Sequence, residues 1–138
     1  AEMMKAAADA ARKRAVELGV VRPLVVGVTV LTSDAGGGNV SALVLDRAKL
    51  AQASGLDGVV ASAQEAGMLR KELGKDFVIV TPGIRPADAE AGDQKRVETP
   101  ASAIKSGSSF LVVGRPIVKA KDPKAAAKAI LAEISAAL

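Results

Sequence analysis

The 138-residue chain contains no cysteine, no histidine, no tryptophan and no tyrosine, and it has two phenylalanines. Without cysteine, disulfides and thiolate nucleophiles are excluded. Without cysteine and histidine together, a zinc site of the usual ligands and every imidazole-based acid/base scheme are excluded as well. Chemistry is left to carboxylates, lysines, arginines and hydroxyls. The net charge of +4 suits an anionic partner, but nucleic-acid binding depends heavily on stacking bases against aromatic rings, and those are nearly missing. A small phosphorylated ligand fits the charge at least as well. No apolar run approaches the roughly 20 residues needed to span a bilayer, and the N-terminus lacks the basic-then-apolar order of a signal peptide. The sequence therefore predicts a cytoplasmic chain with no nucleic-acid and no membrane partner. It opens at Ala1, without an initiator methionine, and runs straight into helix, which suggests a fragment or a processed chain.

What is present is an ordinary globular composition, 49% apolar and 25% charged, at the length of one domain. Residues 2–18 place Met4, Ala8, Ala11, Ala15 and Leu18 on one helical stripe, opposite Lys5, Asp9, Arg12, Lys13 and Glu17, and Gly19 marks the stop. "PLVVGVTVL" (23–31) is a continuous Val-rich run, the pattern of a strand buried on both faces. A second helix is expected over about 41–54, with Leu43, Ala48 and Ala51 inward and Gly55 after it. "LDGVVAS" (56–62) reads as a second strand whose Ser62 and Glu65 have capping-box spacing for a third helix ending at Gly74. "DFVIVTP" (76–82) and "SFLVVGRP" (109–116) read as the third and fourth strands. Thr99-Pro100 and Asp122-Pro123 each place a capping side chain before proline at a helix start.

The predicted order is one helix and then four strands, each followed by a helix, which implies a parallel sheet. An open doubly wound sheet or part of a (β/α)8 barrel satisfies this order. The short, regular units, and polar residues that follow the C-terminal ends of strands, favour the barrel. A whole barrel takes ~250 residues, so four units are half of one, with two open edges that must pair with something.

Several residues are candidates for binding. Thr32 and Ser33 offer hydroxyls after the first strand, or merely begin a turn. The glycines at 36–38 lack the lysine and hydroxyl of a P-loop and read as a connector. The segment from Ile84 to Glu98 is long for a βα connection, where two to six residues are usual. Its Arg85, Gln94, Lys95 and Arg96 suit either an anion or a solvated charged loop. Gly114-Arg115-Pro116 puts an arginine at a strand end, behind a glycine that admits a ligand to the backbone. In barrels the loops after the last two strands frequently hold phosphate, and the arginine fork matches phosphate geometry.

"VTVLTS", "GLDGVVAS", "DFVIVTPGIRP", "GDQKRVETPASAIKSG" and "LVVGRPI" together resemble the orotidine 5′-phosphate decarboxylase family over nearly the whole chain. The resemblance implies the C-terminal half of a (β/α)8 barrel, strands five to eight, as a single domain over 1–138. It also implies a mobile phosphate-gripper loop at about 84–98. Members decarboxylate orotidine 5′-phosphate (OMP) to UMP in pyrimidine biosynthesis with no metal and no organic cofactor, and the expected partner is a second copy in a homo-oligomer or the missing N-terminal half. Carried over, Arg115 and the Gly114 backbone hold the phosphate. Gln94 bridges phosphate and pyrimidine, Arg85 supports the loop and the phosphate end, and Thr32 contacts the pyrimidine or its neighbour. The family's catalytic Asp-x-Lys-x-x-Asp motif has no counterpart here. Asp93, Lys95 and Glu98 imitate its letters on the gripper loop, so no catalytic residue is assigned and the chain is expected to be inactive alone. The "DAGGGNV" connection is shorter than the family's. The alternative left open is a self-associating half-barrel that binds phosphate ligands, or is structural, without catalysis.

Overall fold

The structure, a computed structural model, describes residues 1–30, 40–86 and 98–138. Among these residues ten elements follow one another: α1 (Glu2–Leu18), β1 (Val26–Val28), α2 (Val40–Ala53), β2 (Gly58–Val60), α3 (Ala63–Leu73), β3 (Val78–Thr81), α4 (Pro100–Lys105), β4 (Phe110–Leu111), α5 (Arg115–Val118) and α6 (Pro123–Ser135). The four strands form one sheet in sequential order, every neighbouring pair parallel. Sequential parallel order with helical crossovers is how a (β/α)8 barrel is built, and it differs from an open doubly wound sheet, whose strand order reverses at a switch point.

Helix boundaries follow the caps read from the sequence. Gly19 closes α1 in the left-handed region (φ 64°), where a side chain would be strained. Thr99 accepts the Ser102 amide and Asp122 accepts the Ala125 amide, each with proline in the first turn. Ser62 caps α3 through the Gln64 amide; its bond to Glu65 runs from the Glu65 amide to the Ser62 backbone carbonyl.

Three expectations are corrected. The run over 23–31, expected as a strand buried on both faces, pairs only at Val26–Val28, and Val28 is 60% exposed. In α2 the inward stripe is Val44, Ala48 and Ala51, while Leu43 stays 44% exposed, because the 44-48-51 spacing of four and three residues keeps one face toward β1 and β2. The run expected as a strand over 109–116 pairs only at Phe110 and Leu111, and Arg115–Val118 winds into a short helix not foreseen. Pro116, which lacks an N–H and suits a helix's first turn, was the available signal.

The core lies between sheet and helices. Val59 and Ile79, on adjacent strands, are 1% and 0% exposed and join Ala8 of α1, Val44, Ala48, Ala66, Leu69 and Leu73 in one cluster. In register with Val26 and Val78 stands Gly58. A Cβ there would lie 2.5 Å from Val78 Cβ and closer still to the Val78 carbonyl oxygen. Gly58→Ala is therefore expected to part β2 from β3 and to cost about 2 kcal/mol, as overpacking does. Chemical denaturation checks it, and an unchanged midpoint would show that the strands give way freely.

Candidate functional site

The C-terminal ends of the strands carry the candidate residues. β3 leaves the sheet at Thr81 and reaches Ile84-Arg85; β4 leaves at Leu111 and reaches Gly114-Arg115. Since β3 and β4 are parallel neighbours, the topology brings both arginines to one end of one sheet edge. Thr32 and Gln94, with Asp93, Lys95 and Arg96, lie outside the described residues.

Arg85 and Arg115 are placed differently. Arg85 is 7% exposed. It follows Ile84, which packs with Ala63 of α3 and Ala103 of α4 and forms a bridge with Glu98. The Arg85 amide donates to the Glu98 carbonyl at 3.0 Å, and the Glu98 carboxylate accepts the Ser102 hydroxyl at 2.7 Å. The two ends of the connection from Ile84 to Glu98 are thus tied together and to the first turn of α4. The Thr99 cap is legible in the sequence, whereas this Glu98–Ser102 bond is not, because an acid just ahead of a helix start carries no fixed partner in sequence. Glu65, buried in the first turn of α3, also stands at this end of the sheet, where the helix dipole favours a negative side chain.

Arg115 is exposed and opens α5. Gly114, just before it, accepts the Ile117 and Val118 amides through its carbonyl at 2.9 and 3.1 Å. Among the described residues nothing lies within 4 Å of the position a Cβ would take on Gly114, so these residues leave the backbone open to approach from that side. A short extra helix after the last strand is a recurrent element of barrel phosphate sites.

The opposite, N-terminal end of the sheet holds an open groove of about 460 Å³ lined by Leu24, Asp57, Leu73, Phe77 and Val78 among others. Of its two carboxylates, Asp57 and Asp76, the first is already engaged: Asp57 accepts two hydrogen bonds from the Arg22 guanidinium, one at 2.9 Å, and one from the Val25 amide at 2.7 Å. The Arg22 hydrogen bond, helped by the Val25 amide and opposed by partial burial, holds the Asp57 carboxyl below its ordinary range. A depressed folded pKa means stability that is present above the unfolded value of about 3.9 and is lost as pH falls through the folded one. Asp57→Asn is expected to cost about 1.5 kcal/mol at neutral pH and to flatten the loss of melting temperature below pH ~4. A mutant with the same acid profile as the parent would remove Asp57 from that role. In barrels this end supports stability, whereas chemistry sits at the other.

Four sequential parallel βα units, with cationic residues gathered beyond the C-terminal strand ends and a short helix after the last, define half of a (β/α)8 barrel with a candidate anion site at its mouth. Residues 1–130 match the profile of the orotidine 5'-phosphate decarboxylase / HUMPS family, and the chain belongs to that family. It is 54% identical over 145 aligned positions to the orotidine 5'-phosphate decarboxylase of Hydrogenovibrio crunogenus, covering 99% of this chain and 58% of that protein. The enzyme of the same name from Rhodospirillum rubrum is 50% identical over 96% of this chain and 57% of its own length. The crystal structure of orotidine 5'-phosphate decarboxylase from Lactobacillus acidophilus superimposes with a TM-score of 0.76 at 39% identity, covering 96% of this chain and 58% of that one. The chain thus spans rather more than half the length of the relatives it matches.

Proposed function

We propose that this chain is the nucleotide-holding half of an orotidine 5′-phosphate decarboxylase, a carboxy-lyase that takes OMP to UMP in the cytoplasm as a homo-oligomer. The observation that carries the reading is the pairing of Arg85 and Gly114-Arg115 at one end of adjacent strands, in a chain half identical to enzymes of that name. In this reading Arg115 and the open Gly114 backbone take the phosphate. Arg85, buried and tied to Glu98, anchors the gripper loop, and Gln94 and Thr32 reach the phosphate–pyrimidine junction and the ring. Phosphate binding energy is then available for closing the loop over the reacting ring. The Lys/Asp set that the family uses for decarboxylation belongs to the part of the relatives that this chain does not match.

The test is a pair of measurements on the purified chain: the absorbance of OMP over time, and UMP binding by calorimetry. UMP binding without OMP turnover is the expected result. Absence of UMP binding would refute the reading of the half-site. Turnover would place a proton donor within the chain, with Lys95 and Asp93 the first to be replaced.

A further inference from the structure

The basic residues of the chain are not spread evenly. Five of its 19 lysines and arginines, but one of its 15 acids, fall between positions 115 and 128: Arg115, Lys119, Lys121, Lys124 and Lys128 against Asp122. Outside that stretch bases and acids balance, so it carries the whole net charge of +4. All four lysines are exposed. Elsewhere cations have acids beside them: Arg12 pairs with Asp9 and Arg14 with Glu17 along α1, Arg22 with Asp57, and Lys49 of α2 with Glu72 of α3. Among the described residues no carboxylate forms such a pair with Lys119, Lys121, Lys124 or Lys128. Helix stability does not account for the pattern. Lys124 stands in the first turn of α6, which has no acid there and no base in its last turn, and a lysine beside the partial positive charge of a helix N-terminus weakens the helix slightly.

The stretch begins at the candidate anion site. Lys119 lies one helical turn from Arg115, its amide donating to the Arg115 carbonyl at 3.0 Å. Lys121 and Lys124 follow as the chain turns into α6, which packs against α5. In roughly 0.1 M salt a charge is felt over about 10 Å, so these lysines act on an ion approaching Arg115 without having to touch it. We propose that Lys119, Lys121 and Lys124 form a cationic rim that draws a small phosphate monoester to Arg115 and sets how fast it arrives, not how tightly it is held. The role rests on the reading of Arg115 as the residue that takes the phosphate. A field of one sign beside a site raises the local concentration of the opposite charge and with it the association rate. Exposed ammonium groups on flexible stems add little to a bound state, whereas the arginine at the strand end offers the bidentate fork. No aromatic residue lies among the lysines, so the bases of a nucleic acid would find nothing there to stack on.

Phosphorus NMR line shapes of UMP titrated with the 138-residue chain read association and dissociation rates together. In the triple variant Lys119→Gln/Lys121→Gln/Lys124→Gln, association is expected to fall about fivefold in roughly 20 mM salt, with dissociation within about twofold of the parent. Near about 0.5 M salt the difference should vanish. A second triple, Lys13→Gln/Lys71→Gln/Lys75→Gln, removes the same charge from α1 and from the opposite end of the sheet and should leave both rates unchanged. If the first triple loses helical circular dichroism, Lys119→Gln/Lys121→Gln leaves α6 untouched and should still slow association about threefold. An association rate unchanged at low salt overturns the inference and leaves the phosphate reading of Arg115 standing. Equal slowing by the second triple overturns it too, since net charge would then suffice. A loss that comes through faster dissociation makes the lysines contacts of the bound ligand and not a rim. Absence of UMP binding to the parent removes the phosphate reading, and the inference falls with it.

Discussion

Replacing Arg70 with methionine is expected to remove about 4 kcal/mol of folding stability, the upper part of what a single substitution does when it breaks a hydrogen-bond network. The guanidinium sits at the C-terminal end of α3. Nη1 donates to the carbonyls of Gly74, Lys75 and Phe77 at 2.9, 2.7 and 2.7 Å. Nε and Nη2 donate to the Gly107 carbonyl at 3.2 and 2.7 Å, and Nη2 also reaches the Ser109 hydroxyl at 3.0 Å. One side chain thus fastens the end of α3 to the entry of β3 and to the turn between α4 and β4. Gly107 fits this contact for two reasons: its φ is 104°, and a Cβ there would press on Arg70 Cβ at 3.3 Å. Methionine keeps the aliphatic stem, so the loss reports the polar contacts, each worth about 0.5 to 1.5 kcal/mol net and more for a charged donor. Arg70→Lys should recover only part, because an ammonium cannot reproduce the planar fork. Urea denaturation gives the result. A loss below about 1 kcal/mol would mean that water satisfies those carbonyls as well as arginine does.

The features legible in the sequence were those set by local chemistry. Gly19, Thr99-Pro100 and Asp122-Pro123 marked helix ends where the structure has them, because a cap is decided by residues a few positions apart. Valine-rich runs marked all four strands, and their alternation with helices gave the parallel order. What local pattern could not set was which valines would face helices and which would not: a run such as "FVIV" is apolar on both sides, and only the packing of α2 and α3 assigns Ile79 inward. For the same reason the stripe of α2 was misread by one residue at Leu43. Arg70 and Arg22 escaped notice as structural residues because their acceptors, Gly107 and Asp57, lie 37 and 35 positions away. At the site, the sequence separated Arg85 and Arg115 by thirty positions, and it took the pairing of β3 with β4 to set them at one end of the sheet.

That convergence has a functional consequence which can be measured one charge at a time. Arg115→Ala is expected to weaken UMP binding by more than about 1.5 kcal/mol, the lower end for a hydrogen bond to a charged group, so by more than about tenfold in dissociation constant. Fold stability should hardly change, because Arg115 is exposed and α5 is closed by backbone bonds from Ile117 and Val118 to Gly114. If Arg115 serves the phosphate, uridine, which lacks one, should bind the parent and the variant alike. Arg115→Lys should fall between them, keeping the charge and losing the bidentate geometry. Rising salt should weaken UMP binding to the parent more than to Arg115→Ala, since screening acts on the charge the variant no longer has. Calorimetry with both ligands decides the point. An unchanged UMP affinity takes Arg115 out of the site. Equal losses for UMP and uridine would move its role from phosphate to base or ribose, and the phosphate would then fall to Arg85, whose burial beside the Glu98 carbonyl makes it the more rigid of the two.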